Sequence, residues 1–137
     1  MSTNDEICPV MQDLSLYIAE VLQKPLPDYV MEKAKQHSLD TLAAMVSGAK
    51  MIPGEFSVKY ARLQGGVEEA TVPGSDVVTT ATVAALANGM TAHADETDDS
   101  HLASRSHLGC GVVPAALALA EKEGRSGRDV LTAYVAG

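Results

Sequence analysis

Three of the chain's four histidines, His93, His101 and His107, fall within fifteen residues, and Asp95, Glu96, Asp98, Asp99 and Arg105 lie between them. A histidine titrates near neutrality, so it can take a proton from carbon or give one to a leaving hydroxyl. A neighbouring carboxylate can orient that imidazole or act as the partner acid. Directly after the cluster, Gly109-Cys110-Gly111 opens a helical stretch, and helix N-termini offer free N–H groups and a positive dipole end to a carboxylate. One reading is therefore acid–base chemistry on a small anionic substrate. A second is a metal centre, with His93, His101 and His107 joined by carboxylates around Zn²⁺ or Fe²⁺. The spacings match no tight signature such as H-E-x-x-H, so neither metal nor cofactor is expected. The third is a solvated loop whose acids pair with Arg105 or with the histidines.

The segments on either side sharpen the choice. Val77 to Ala92 and Val112 to Ala120 contain no charged residue, and a helix apolar on every side is usually buried. The polar loop thus starts and ends at the core, where unpaired charge is costly. Thr79 or Thr80 can cap the first of these helices, which is expected to run to about Met90. The second is expected from about Val112 to Glu123, with Pro114 in its first turn and Gly124 closing it.

Elsewhere the pattern is also helical. Leu14, Ile18, Val21 and Leu22 predict a short helix from Met11 to Leu22, after a polar and frayed start over residues 1–10. From Pro27 to about Val46, Val30, Ala34, Leu39, Leu42, Ala43 and Val46 form one broad apolar face, and Ser47-Gly48 supplies the stop. Phe56 to Leu63 fits about two helical turns, ended by Gly65-Gly66. Ala70 to Val72 reads as a short extended piece before a Pro73-Gly74-Ser75 turn. Ser126 to Asp129 resembles a capping box for a last helix through Leu131, Tyr134 and Val135. The expected fold class is all-α, a bundle of five to six helices. Residues 1–26 form an N-terminal segment and first helix, and 27–137 a helical domain. Its last helical pattern is still running at Gly137, as in a chain cut from something longer.

Composition narrows the function classes. The chain has 137 residues, enough for one domain with a real core, and its formal net charge is −8 with no Lys/Arg run. Nucleic acid and anionic membranes are poor partners for such a surface. With four Tyr, one Phe and no Trp, the core must come from Ala, Val, Leu and Met. The start MSTNDEICPVMQDLS lacks the basic opening and apolar run of a signal peptide, so a cytoplasmic location is expected. Cys8 and Cys110 form neither a metal-ligand spacing nor a disulfide framework. Cys110 at a helix N-terminus is a candidate for a lowered pKa. His37 reads as a surface residue, and the four tyrosines as core edge or partner contacts.

The run ALANGMTAHADETDDSH, followed by SHLGCGVVPAALALAEKEGRSGRDVLTAYVAG, resembles the N-terminal helical domain of the MmgE/PrpD family. LDTLAAMVSG (Leu39 to Gly48) and ATVPGS are also similar to stretches of that family, and the likeness runs from about Pro27 to Gly137. The family includes 2-methylcitrate dehydratase, cis-aconitate decarboxylase and related enzymes acting on small carboxylic acids. Its usual string is close to H-A-L-D-Y-D-D-T-H, followed by a His-Pro-Ser/Gly. On this chain the first His falls on His93, the first acid on Glu96, the paired aspartates on Asp98 and Asp99, and the hydroxyl on Ser100. His101 follows, and His107 opens the next motif.

The resemblance implies that Glu96, Ser100 and His107 line an active site, with His107 in acid–base chemistry. His101, Arg105, Gly109 and Gly111 are the expected contacts to a substrate carboxylate, supported by His93, Asp98 and Asp99. Glu96 replaces the family's Asp, Ser100 its Thr and Leu108 its Pro, and the Ser100 to His107 spacing is a residue longer than in the decarboxylase. These changes keep the chemical types and alter their reach. The resemblance further implies a cofactor-independent lyase, a homodimer, and a second α/β lid domain in the family's longer proteins. A non-catalytic truncated helical module and a metal-dependent hydrolase or isomerase are the alternatives.

Overall fold

A computed structural model describes residues 7–21 and 23–137. Six helices and one two-stranded hairpin follow in the order α1 (Pro9–Val21), α2 (Asp28–Gly48), α3 (Ile52–Gln64), β1 (Ala70–Thr71), β2 (Val78–Thr79), α4 (Ala81–Ala92), α5 (Gly109–Lys122) and α6 (Gly127–Ala136). This is the all-α bundle that the apolar periodicity predicts. Leu22 and residues 1–6 lie outside the described residues, so a frayed start is tested only at its end, where Pro9 and Val10 are already helical.

The uncharged helix α4 is the centre of the bundle and packs against α2, α3 and α5. Three devices hold it in place, two of them at its N-terminus. Thr80 caps it by accepting from the Val83 N–H. Glu69 accepts from the Ala81 N–H at 2.9 Å and pairs with Lys122 at 3.2 Å. Asn88, fully buried, donates to the Thr71 carbonyl at 3.0 Å and so ties α4 to the hairpin. Thr79, the other candidate cap, is instead buried in β2 opposite Ala70.

The core is made of small side chains. One cluster gathers Ala61, Ala70, Val72, Val77, Ala81, Ala84, Ala87 and Ala118; a second joins Met45, Ala92 and Val113, with Leu42, Cys110 and Tyr134 against it. Alanine buries little apolar area, so such a core gains its stability through close approach of backbones. The approach is visible at Gly48 in α2, where a Cβ would lie 1.9 Å from the Thr91 carbonyl oxygen of α4. A Cβ on Gly54 in α3 would meet the Gly48 carbonyl oxygen at the same distance.

Close approach also explains why the buried face of α2 differs from the expected one. Its buried residues are Met31, Ala34, Ser38, Thr41, Ala44, Met45 and Gly48, a face rotated from the apolar one. Leu39 and Val46, expected inside, are largely exposed. Small and polar residues at i+3 and i+4 let α2 lie against α4, and the bulkier aliphatics are turned out. Likewise α4 is not buried all round: Leu86 and Met90 are about half exposed. Helix α3 is longer than the two turns expected, because Ile52-Pro53 starts it early with Pro in its first turn. Helix α5 begins at Gly109, so Pro114 sits inside it rather than at its start.

The Gly48 contact yields a paired test. Gly48→Ala should lower stability by at least about 2 kcal/mol, the scale of overpacking a close contact. Gly127→Ala, in open space at the start of α6, should be neutral or stabilise by about 0.5 kcal/mol. Urea unfolding of the two variants beside the parent protein measures both.

Candidate functional site

The polar segment connects the end of α4 to the start of α5, and Asp98 is its centre. Its side chain has no exposed surface, and His93 Nδ1 lies 3.2 Å from both of its carboxylate oxygens. On the other side, His107 Nδ1 is 3.3 Å from Asp98 Oδ1. That second contact is off the line of a hydrogen bond, leaving the His107 nitrogen buried without a hydrogen-bond partner among the described residues. The two imidazoles meet edge to face with ring centres 4.9 Å apart. His93 immediately follows α4 and His107 lies two residues before α5, next to its N-cap Leu108, so the helix packing sets this triad.

Asp99 does a different job. It accepts from the Gly109 N–H at 2.8 Å, placing a carboxylate of the chain itself at the N-terminus of α5. The space is tight: a Cβ on Gly109 would sit 2.6 Å from both Asp99 Oδ1 and Thr41 Oγ1. The Gly109 amide, expected to receive a substrate carboxylate, is therefore occupied. Gly111 donates its N–H to the Leu108 carbonyl at 3.2 Å, and its open side lines a cavity.

Asp95, to which the family motif gives no role, anchors the start of the loop. It accepts from Thr97 Oγ1 at 2.7 Å and from Ser47 Oγ at 2.8 Å, reaching across to the C-terminal turn of α2. Those bonds, the Thr97 one first, hold its carboxyl below the ordinary aspartate range. An acid two residues before a threonine is a recognisable turn signal. The Ser47 partner, 48 positions away, is not readable from sequence.

The three expected catalytic residues are not joined to one another. Glu96 and Ser100 are exposed, His107 is half-buried, and no hydrogen bond links their side chains among the described residues. Glu96 has a left-handed backbone with φ 54° and lines the cavity. His101 is exposed, bonded through Nδ1 to Ser104 Oγ at 2.7 Å, and its backbone pairs with Ser106 in a tight turn. Arg105, at φ 53° in that turn, forms no ion pair among the described residues. The expected alternative, that it neutralises Asp98 or Asp99, does not occur: histidines face one and a backbone N–H meets the other.

The cavity has a volume of about 630 Å³ and lies between α3, α4 and the start of α5. Pro53, Leu86 and Met90 supply its apolar wall; His93, Glu96 and Cys110 supply its polar end. Its size suits a small-molecule ligand. The exposed Leu86 and Met90 that broke the expectation of a fully buried α4 are this wall.

Cys110 departs from expectation too. A thiol at a helix N-terminus usually ionises more readily, yet burial pushes this one up to about 11, with the nearby Asp98 and then Asp99 adding to the effect. Burial and the carboxylates outweigh the helix dipole, and the thiol stays protonated at neutral pH.

A family comparison completes the picture. Residues 12–137 match the MmgE/PrpD N-terminal domain. The chain belongs to the MmgE/PrpD family. No curated protein matches it in a sequence search. The match covers the likeness seen from Pro27 onward and extends it back into α1. In this MmgE/PrpD domain, the segment that resembles the family's histidine and paired-aspartate string is wrapped around Asp98. Among the described residues, no helix is long and apolar enough to cross a membrane.

Two outcomes test this geometry. Asp98→Asn keeps the size but removes the charge facing two imidazoles, and should cost about 1.5–3 kcal/mol in a denaturant titration. For Cys110, the folded protein holds the proton more tightly than the unfolded chain. That contribution to stability is present below pH 9 and is lost as pH rises through about 11. Cys110→Ala should therefore flatten the decline of stability over this window, and iodoacetamide at pH 7.5 should label exposed Cys8 well before Cys110.

Proposed function

We propose that this domain forms one wall of a lyase active site acting on small di- or tricarboxylates, by dehydration or decarboxylation without a cofactor. Family membership supports the reaction class, and one observation carries the site: a buried carboxylate facing two histidines beside a cavity of ligand size. Asp98 lies 3.3 Å from the Nδ1 edge of His107 without hydrogen-bonding it, and Nε2 is the nitrogen that would exchange a proton with substrate. In dehydration, a base removes the proton from the carbon next to a carboxylate. The electron pair forms the carbon–carbon double bond, and hydroxide departs with a proton from an acid. In decarboxylation, CO₂ leaves, its bonding electron pair stays on carbon, and the acid protonates that carbanion. Both routes build negative charge next to a carboxylate, which donors must hold.

The resemblance assigns His107 to proton transfer, with Glu96 and Ser100 beside it. Exposed Arg105 and Ser100 are free to reach a substrate carboxylate, whereas Gly109 is engaged by Asp99. The cavity lining contains one carboxylate and no cation, so a tricarboxylate needs cations from outside it. That requirement agrees with a second domain and a homodimer in the functional protein. A cytoplasmic location belongs to the same proposal.

The assay is turnover of 2-methylcitrate, citrate and cis-aconitate by the complete gene product. His107→Ala should lower kcat by about 10²- to 10⁴-fold, the usual scale for a positioned acid–base group. Activity on one of these acids that is unchanged by the substitution would sink the assignment.

A further inference from the structure

We infer that Asp95, clamped to Thr97 and Ser47, is a positioning residue that holds Glu96 in a left-handed backbone and so aims its side chain at the cavity. This role rests on the lyase reading, in which Glu96 lines the active site. Among the described residues only Glu96 and Arg105 combine a side chain with a positive φ, at 54° and 53°. Glycine or asparagine ordinarily takes such a conformation, and a glutamate there needs its surroundings to hold it. The turn at Arg105 is closed by the backbone pairing of His101 with Ser106. At Glu96 the backbone offers only a long bond, from its N–H to the His93 carbonyl at 3.3 Å.

The Asp95 carboxylate supplies the rest, because its bonds bracket Glu96. Oδ1 accepts from the Thr97 N–H at 3.3 Å and from Thr97 Oγ1 at 2.7 Å. Joining the residue before Glu96 to the residue after it limits the torsions of the one between. Oδ2 accepts from Ser47 Oγ at 2.8 Å. Ser47 precedes Gly48, which is seated so closely on α4 that a Cβ there would lie 3.0 Å from the Ala94 Cβ. Helix α2 thus fixes the carboxylate, and the carboxylate fixes the turn. The bonds from Thr97, then from Ser47, lower its pKa, so at neutral pH both oxygens remain acceptors.

A strained backbone persists where its surroundings over-determine it, and such residues concentrate where the direction of a side chain matters. Glycine at position 96 would relieve the strain but remove the one carboxylate in the cavity lining. The string H-A-L-D-Y-D-D-T-H has Leu and Tyr at the places of Asp95 and Thr97, so the clamp is no part of that motif. It accompanies the change from Asp to Glu at position 96. Glutamate has one more rotatable bond than aspartate, and a fixed backbone recovers some of the direction that the extra bond loses.

The clamp is tested by turnover of the three acids by the complete gene product, in Asp95→Ala, Asp95→Asn, Ser47→Ala and Glu96→Gln, singly and combined. Asp95→Ala should lower kcat by roughly 10- to 100-fold, the scale of a small misplacement of a reacting group, with KM little changed. Ser47→Ala should act in the same direction and more weakly. Asp95→Asn keeps an oxygen for Thr97 and an N–H for Ser47 Oγ, so it should restore most of the rate. In a Glu96→Gln background Asp95→Ala should cost nothing further, because the group it positions is already disabled. The same drop in both backgrounds, or parental kcat in Asp95→Ala beside an impaired Glu96→Gln, would overturn the inference. If no acid is turned over, or Glu96→Gln matches the parent, it is the lyase reading that falls, and urea unfolding then decides the clamp. Glu96→Gly should raise the unfolding midpoint of the parent and raise that of Asp95→Ala less, whereas an equal rise in both would overturn the clamp.

Discussion

Keeping the Asp98 carboxylate out of water is the constraint around which the rest of the domain is arranged. Withdrawing a charge from solvent costs several kcal/mol unless partners compensate. The partners here are His93, which follows α4, and His107, which leads into α5. They can meet around one carboxylate only if the end of one helix and the start of the next are held close together. The α4–α5 packing does this, helped by Gly89, where a Cβ would lie 2.9 Å from the Cys110 carbonyl. Pro114 has no N–H to offer that same carbonyl four residues back, so the backbone there is less committed to its own helix.

The small residues of the core serve the same arrangement. Gly48, Gly54 and the alanines of α4 let three helices crowd around one axis, and the polar loop is pinned to that frame at both ends. Asp95 grips Ser47 on α2, and Asp99 grips the first amide of α5 next to Thr41. The two paired aspartates thus divide the work. One caps a helix and the other faces the histidines. Their adjacency in the chain means that capping by Asp99 also sets the position of Asp98.

This division bears on the chemistry. The helix N-terminus, the obvious place for a substrate carboxylate, is already satisfied by the protein. The ligand-sized space lies instead on the far side of His93, between an apolar wall and a polar end with an acidic residue but no cation. An anionic substrate approaching it needs positive charge from beyond the cavity lining. Cys110 shares that polar end as a protonated thiol, poorly suited to attack as a free nucleophile.

The sequence by itself determined the helices, because each has a local signal. Apolar spacing sets α2, α4 and α5; the Ser126–Asp129 capping box starts α6; Gly and Pro punctuate the hairpin. It also marked the segment where chemistry concentrates, since ionisable side chains held between uncharged helices must be paired or put to use. Only the tertiary structure decided which face of α2 is buried, for backbone proximity at Gly48 outweighs the transfer of Leu39 and Val46 from water. Only it decided the roles within the cluster: Asp98 at the centre, Asp99 spent on a helix end, Glu96 and Ser100 at the surface, and Cys110 raised in pKa instead of lowered. Those outcomes depend on distances between segments separated in sequence, and on burial, which no spacing along the chain encodes.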